Sequence, residues 1–160
     1  GPALRTGTGS WTISAWFNVT SAAAGNQICM KGTAWFTDMD YSILQRADSL
    51  TVSFGKGTGG VMTDIRPAVT ISNSTWYFVC MVYDSVGQTL LARVNATESQ
   101  VAHTTAVQNT TALLQIGRST QNGQFFGGQI DAFGFWSRVL TQAERNELYN
   151  NGSGKQYPFA

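Results

Sequence analysis

The chain has 160 residues, enough for one domain with a substantial core, and carries 42% hydrophobic but only 12% charged residues. A formal net charge of +1, with no long Lys/Arg run, provides no field to steer it onto nucleic acid, and no apolar run is long enough to insert into a membrane. Its surface must be covered largely by Thr, Ser, Asn, Gln and Gly, which suits a secreted protein or one on a cell or virion surface.

Gly1-Pro2 reads as the remnant of a removed purification tag, with residues 3–160 as one domain. Period-two alternation of apolar and polar residues marks Trp11 to Val19 as a half-buried strand. Further strands are expected at Gln27 to Lys31, Tyr41 to Arg46, Leu50 to Gly55, Ala68 to Ser72, Trp76 to Tyr83, Thr89 to Asn95, Ala112 to Arg118 and Gly128 to Ser137. Turn signals such as Ala24-Gly25-Asn26 and Asp84-Ser85-Val86-Gly87 separate them. Near the end, Thr141-Gln142-Ala143-Glu144 has capping-box spacing, so a short helix should run to about Asn150. Together these elements predict an all-β, two-sheet antiparallel sandwich with one short C-terminal helix. Cys29 and Cys80 fall in apolar strand-like runs and read as buried thiols or as a disulfide between neighbouring strands.

Catalytic patterns are weak. A glycosidase needs two carboxylates facing one groove, and Asp38-Met39-Asp40 is the nearest approach. These two read better as solvated loop acids or as hydrogen-bond acceptors for a ligand. The chain's one histidine, His103, lies in a Thr-rich stretch with no nucleophile-elbow motif and reads as a surface residue. Zinc spacing is absent.

Sugar binding asks for an exposed aromatic ring flanked by amides, carboxylates or guanidinium groups. The stretch Gly32 to Tyr41 and the surroundings of Phe125-Phe126 have that composition. Two adjacent aromatic residues cannot both face the core of an extended strand, so one of Trp35 and Phe36, and one of Phe125 and Phe126, should point outward. The candidate ligand-binding residues are therefore Trp35, Asp38, Asp40, Tyr41, Arg118, Gln121 and Asn122. Trp16 falls on the polar register of its strand but, with Trp11, Trp76 and Trp136, is expected to pack.

The segments SWTISAWF, ICMKG, WYFVCMVYD, LLARVN, LLQIG and FFGGQIDAFGFWSRVLTQAERNELYNNG, in that order, resemble the laminin-G-like branch of the concanavalin A-like jelly rolls. The resemblance runs from about Ser10 to Gly152 and is most specific in the Gly-x-Ile-Asp strand leading to the helix. It implies a jelly-roll sandwich and a non-catalytic carbohydrate-binding module of a larger secreted or surface protein, with a glycan or polysaccharide as partner. The alternatives are a structural or adhesion domain of a phage, viral or bacterial surface protein, with a protein partner or self-association, and a divergent glycoside hydrolase. It further implies a structural Ca²⁺ at Asp131. On the residues alone, a carboxylate in the strand Ile130-Asp131-Ala132-Phe133 needs a cation, an arginine or backbone amides, and these stay open.

Overall fold

A computed structural model describes residues 9–34, 38–48, 52–58, 61–104, 110–119, 123 and 125–155. Among the described residues, ten strands form two five-stranded antiparallel sheets. One sheet runs, edge to edge, β10 (Gly128–Trp136), β1 (Trp11–Val19), β6 (Trp76–Asp84), β7 (Thr89–Val94), β8 (Thr97–Ala102). The other runs β5 (Val61–Ile65), β4 (Val52–Thr58), β3 (Asp38–Gln45), β2 (Asn26–Ala34), β9 (Leu114–Ile116).

The strand alternation of β1 and β6 builds the core between the sheets. Trp11, Ile13, Ala15, Phe17 and Val19 point inward beside Tyr77, Val79, Met81 and Tyr83, and Ile28, Tyr41 and Ile43 of the second sheet meet them. Trp11 packs against both Tyr41 and Tyr83, with ring centroids 5.1 and 5.9 Å apart. Burying each such aromatic side chain removes the largest apolar surfaces of the chain from water.

The other face of β1 and β6 is covered too. Phe78, Cys80 and Val82 form a second cluster with Leu140 and Leu148, so helix α1 (Gln142–Tyr149) lies on the outer face of the first sheet. An isolated helix of this length is unstable in water, and three devices hold this one. Thr141 and Glu144 form the expected capping box, and Asn150 ends the helix in the left-handed region at φ 45. Arg145 makes two bonds of 3.0 Å to Glu98 on β8. Arg93 on β7 lies with its guanidinium carbon 5.7 Å from the Phe78 ring centre and 5.2 Å from that of Tyr149.

Three sequence expectations about strands are corrected. Val61–Ile65, where the sequence pattern predicts no strand, is β5, paired with β4. Ala68 to Ser72 is not a strand: Val69 bonds back to the Pro67 carbonyl, and the Tyr77 hydroxyl accepts from Ser72 N and donates to Thr70 O. Side-chain capping there replaces a ladder. Thr97–Ala102, a polar stretch, is strand β8, joined to β7 through Asn95 at φ 53. Both cysteines are buried free thiols, each pushed up to about 12 by burial.

Candidate functional site

β1 carries Trp16 and Asn18 on the outer face, because Phe17 and Val19 take the core. Antiparallel pairing then sets their neighbours. Trp16 sits opposite Phe78 on β6 and Asp131 on β10, while Asn18 sits opposite Trp76 and Gln129. Directly opposed residues share a face, so two cross-strand rows are formed: Asp131, Trp16, Phe78 and Gln129, Asn18, Trp76.

The pairing of β1 with β10 slips between Ser14 and Trp16, where three steps on β10 oppose two on β1. This β-bulge places Ala132 at φ 47, a strained value for a residue with a side chain, and its amide donates to Asp131 Oδ1 at 2.7 Å. The carboxylate thus caps the bulge while remaining exposed.

The chain after α1 closes the other side. Gly154 at φ 69 turns the tail down so that a Cβ there would stand 3.3 Å from Trp16 Nε1, a contact and a conformation that favour glycine. Trp16 itself stacks on Tyr149, centroids 6.1 Å apart and planes 17° from parallel, and tilts against Phe78. The result is a cleft of about 360 Å³ walled by Trp16, Trp76, Asp131, Ser153 and Lys155. Trp76 is 42% exposed. Lys155 Nζ pairs with Glu147 Oε1 at 2.7 Å, so of the two oppositely charged lining side chains the ammonium is already engaged by a carboxylate, while Asp131 bonds the Ala132 amide. A second hollow sharing Trp16, Ala132 and Lys155 continues toward Trp136.

The residues picked from sequence are dispersed. Trp35, Gln121 and Asn122 lie outside the described residues. Asp40 and Tyr41, expected near a ligand, are each 0% exposed. The pairing of β2 with β3 slips near Lys31, which brings Asp40 Oδ2 to 2.9 Å from Lys31 Nζ. The Thr110 amide donates to Asp40 Oδ1 and the Thr110 carbonyl accepts from Lys31, at 2.9 and 2.7 Å. Asp40 is therefore a sealed structural ion and Tyr41 a core ring. Asp38 opens β3 and accepts from the Thr33 hydroxyl, so the two acids do not stand together as a solvated pair.

Arg118 is exposed and its guanidinium lies 5.6 Å from the ring centre of Phe125. Phe125 is 69% exposed, whereas Phe126 packs edge-on against Phe17, so this aromatic pair divides outward and inward as its adjacency requires. His103 is 2% exposed, not a surface residue, and its Nδ1 lies 2.8 Å from Thr63 Oγ1.

Asp131 brings one carboxylate, with one oxygen already on an amide. Calcium takes six to eight oxygens, and no three His, Cys, Asp or Glu residues gather among the described residues. The side chains at Asp131 alone do not make a calcium shell, and any further oxygens would have to come from the main chain. Of the alternatives open at Asp131, the structure supplies the backbone amide.

Sequence reasoning missed Trp76 as a site residue. Its signal was present: Tyr77, Val79 and Met81 claim the core, so Trp76 must face outward at the strand's start. Trp16 likewise showed its outward register, but the tail that completes the wall around it left no periodic trace.

Comparison with known proteins places this fold in a family. A family model described as the concanavalin A-like lectin/glucanases superfamily matches residues 2–144, and the chain belongs to that superfamily. No curated protein matches it. Among solved structures, the native heptameric SAP-like pentraxin of Limulus polyphemus is similar at 14% identity and TM-score 0.68, over 92% of this chain and 73% of that one. The CBM40 domain of the Ruminococcus gnavus IT-sialidase bound to α2,3-sialyllactose is similar at 14% identity and TM-score 0.71, over 87% of this chain and 81% of that one. The same domain bound to α2,6-sialyllactose is similar at 17% identity and TM-score 0.64, over 87% and 82%. At these identities the likeness establishes a lectin-like fold. Fold alone does not choose a function, and the superfamily name also covers glucanases.

Proposed function

We propose that this chain is a non-catalytic carbohydrate-binding module and that glycans dock in the cleft between Trp76 and Asp131. The observation that carries the reading is the half-exposed Trp76 indole standing beside a carboxylate, a hydroxyl and amide side chains on one face. An indole offers its flat apolar surface to the C–H face of a pyranose, and planar polar groups bond the hydroxyls in pairs. Trp76 and Asp131 lie on the strands flanking β1, roughly 10 Å apart or more at normal strand spacing, which leaves room for a sugar ring. The carbohydrate-binding neighbour supports the same reading. A non-catalytic role agrees with Asp40 being locked in an ion pair beneath the surface. Affinity electrophoresis against a panel of polysaccharides tests the proposal, with loss of retardation expected in Trp76→Ala.

A second reading, a structural or adhesion domain that binds protein, is favoured by one observation. Leu113, Ile116 and Phe125 are 68%, 47% and 69% exposed around strand β9, the edge of its sheet. A concentration-dependent oligomer in light scattering, abolished by Ile116→Lys, would support it. Arg118 already covers Phe125, which makes that ring a poorer sugar platform than Trp76.

A further inference from the structure

We infer that the cleft selects a basic sugar, a pyranose bearing a free ammonium group such as β-1,4-linked glucosamine. This rests on the glycan-binding reading and specifies its ligand.

Charge decides the class. Among the described residues the walls carry two ionic groups, Asp131 and Lys155, and no arginine; Lys155 is engaged by Glu147 at 2.7 Å, whereas no cationic side chain among them pairs with Asp131. An acidic sugar would bring its carboxylate toward Asp131, and like charges a few ångströms apart repel even where water screens them. A neutral sugar would leave the carboxylate to bond hydroxyls alone.

An ammonium group satisfies more of the wall at once. It can pair with the exposed oxygen side of Asp131, whose Oδ1 is oriented by the Ala132 amide. Indole is the aromatic ring that attracts cations best, and Trp16 and Trp76 supply two. With the charged end at Asp131, the ring spans the floor over Trp16 toward the exposed face of Trp76, and Ser153 and the glycine backbone on the opposite wall face its hydroxyls. N-acetylation would remove the charge and add bulk at the Asp131 end.

The test is quenching of tryptophan fluorescence, to which Trp16 and Trp76 contribute among the chain's five tryptophans, at about pH 6 in EDTA. The full chain is titrated with the glucosamine tetramer, the N-acetylglucosamine tetramer and α2,3-sialyllactose, and Asp131→Asn is titrated in parallel. Asparagine keeps the oxygen that accepts the Ala132 amide, so the bulge is preserved, and the far-UV spectrum and melting midpoint verify the fold. Binding of the glucosamine tetramer roughly tenfold tighter than the acetylated one, with the preference lost in Asp131→Asn, is the expected result. Equal or tighter binding of the acetylated or sialylated sugar, or a preference that survives Asp131→Asn, overturns the inference and leaves glycan binding standing. No quenching by any of the three, with no polysaccharide retarding the protein either, overturns both.

Discussion

Trp16 and Asp131 face each other across β1 and β10 at the point where the register of that strand pair slips. The bulge aims the carboxylate along the outer surface, and Tyr149 and Gly154 fix the indole from the helix side. A sheet, a bulge and a helix tail thus meet at one aromatic side chain.

Position and exposure separate the two indoles of the cleft. Trp76→Ala removes a half-exposed ring and should lower the unfolding free energy by only about 1 kcal/mol. Trp16→Ala removes a ring packed on Phe78 and Tyr149 and should cost about 2–4 kcal/mol. Urea unfolding of the two variants checks this, and equal losses would contradict the assigned geometry.

The Lys31–Asp40 pair is 2% and 0% exposed. Removing one partner leaves a buried charge alone, so Lys31→Met or Asp40→Leu should each cost about 3–5 kcal/mol. The double variant Lys31→Met/Asp40→Leu should recover most of that loss. A double variant no better than the sum of the singles would show that the Thr110 bonds, not the pair, dominate.

Tyr41 is 0% exposed, and its hydroxyl meets no hydrogen-bond partner among the described residues. Such a group carries a desolvation cost of about 1–3 kcal/mol. Tyr41→Phe, which keeps the ring against Trp11, should therefore be neutral or stabilising in thermal unfolding. A clear destabilisation would reveal a partner for the hydroxyl.

Acid should loosen the helix. Hydrogen bonds from Arg138 and from the Thr141 amide hold the Glu144 carboxyl down at about 2, against an ordinary 4.5. Its folded value being the lower, the contribution is fully present above the ordinary value and fades as the pH falls toward 2. The melting midpoint of the wild type should drop across that window by more than that of Glu144→Gln, and parallel curves would contradict the assignment.

The cleft's side chains alone do not make a calcium shell, so EDTA should leave the melting midpoint unchanged. A fall in EDTA that added Ca²⁺ restores would place the ion in the structure after all.

The sequence reveals the sandwich because β1 and β6 alternate cleanly and because Thr141 and Glu144 carry the cap spacing in plain view. It conceals β8, whose Thr-Glu-Ser-Gln edge buries too little to alternate. Asp40 looked solvated because nothing local announces the bulge that turns it against Lys31, or the Thr110 backbone 70 residues away that seals it. The cleft was illegible for a related reason. Trp16, Trp76, Asp131 and Lys155 come from four separate stretches and meet only through strand order and the tail that follows α1.

Retardation of the protein in polysaccharide gels, run for wild type, Trp76→Ala and Phe125→Ala, tests glycan binding at the cleft most directly. Wild type and Phe125→Ala should be slowed alike by at least one polysaccharide, and Trp76→Ala should migrate as in the sugar-free gel. No retardation of any form across a broad panel, or retardation that Trp76→Ala leaves intact, would contradict it.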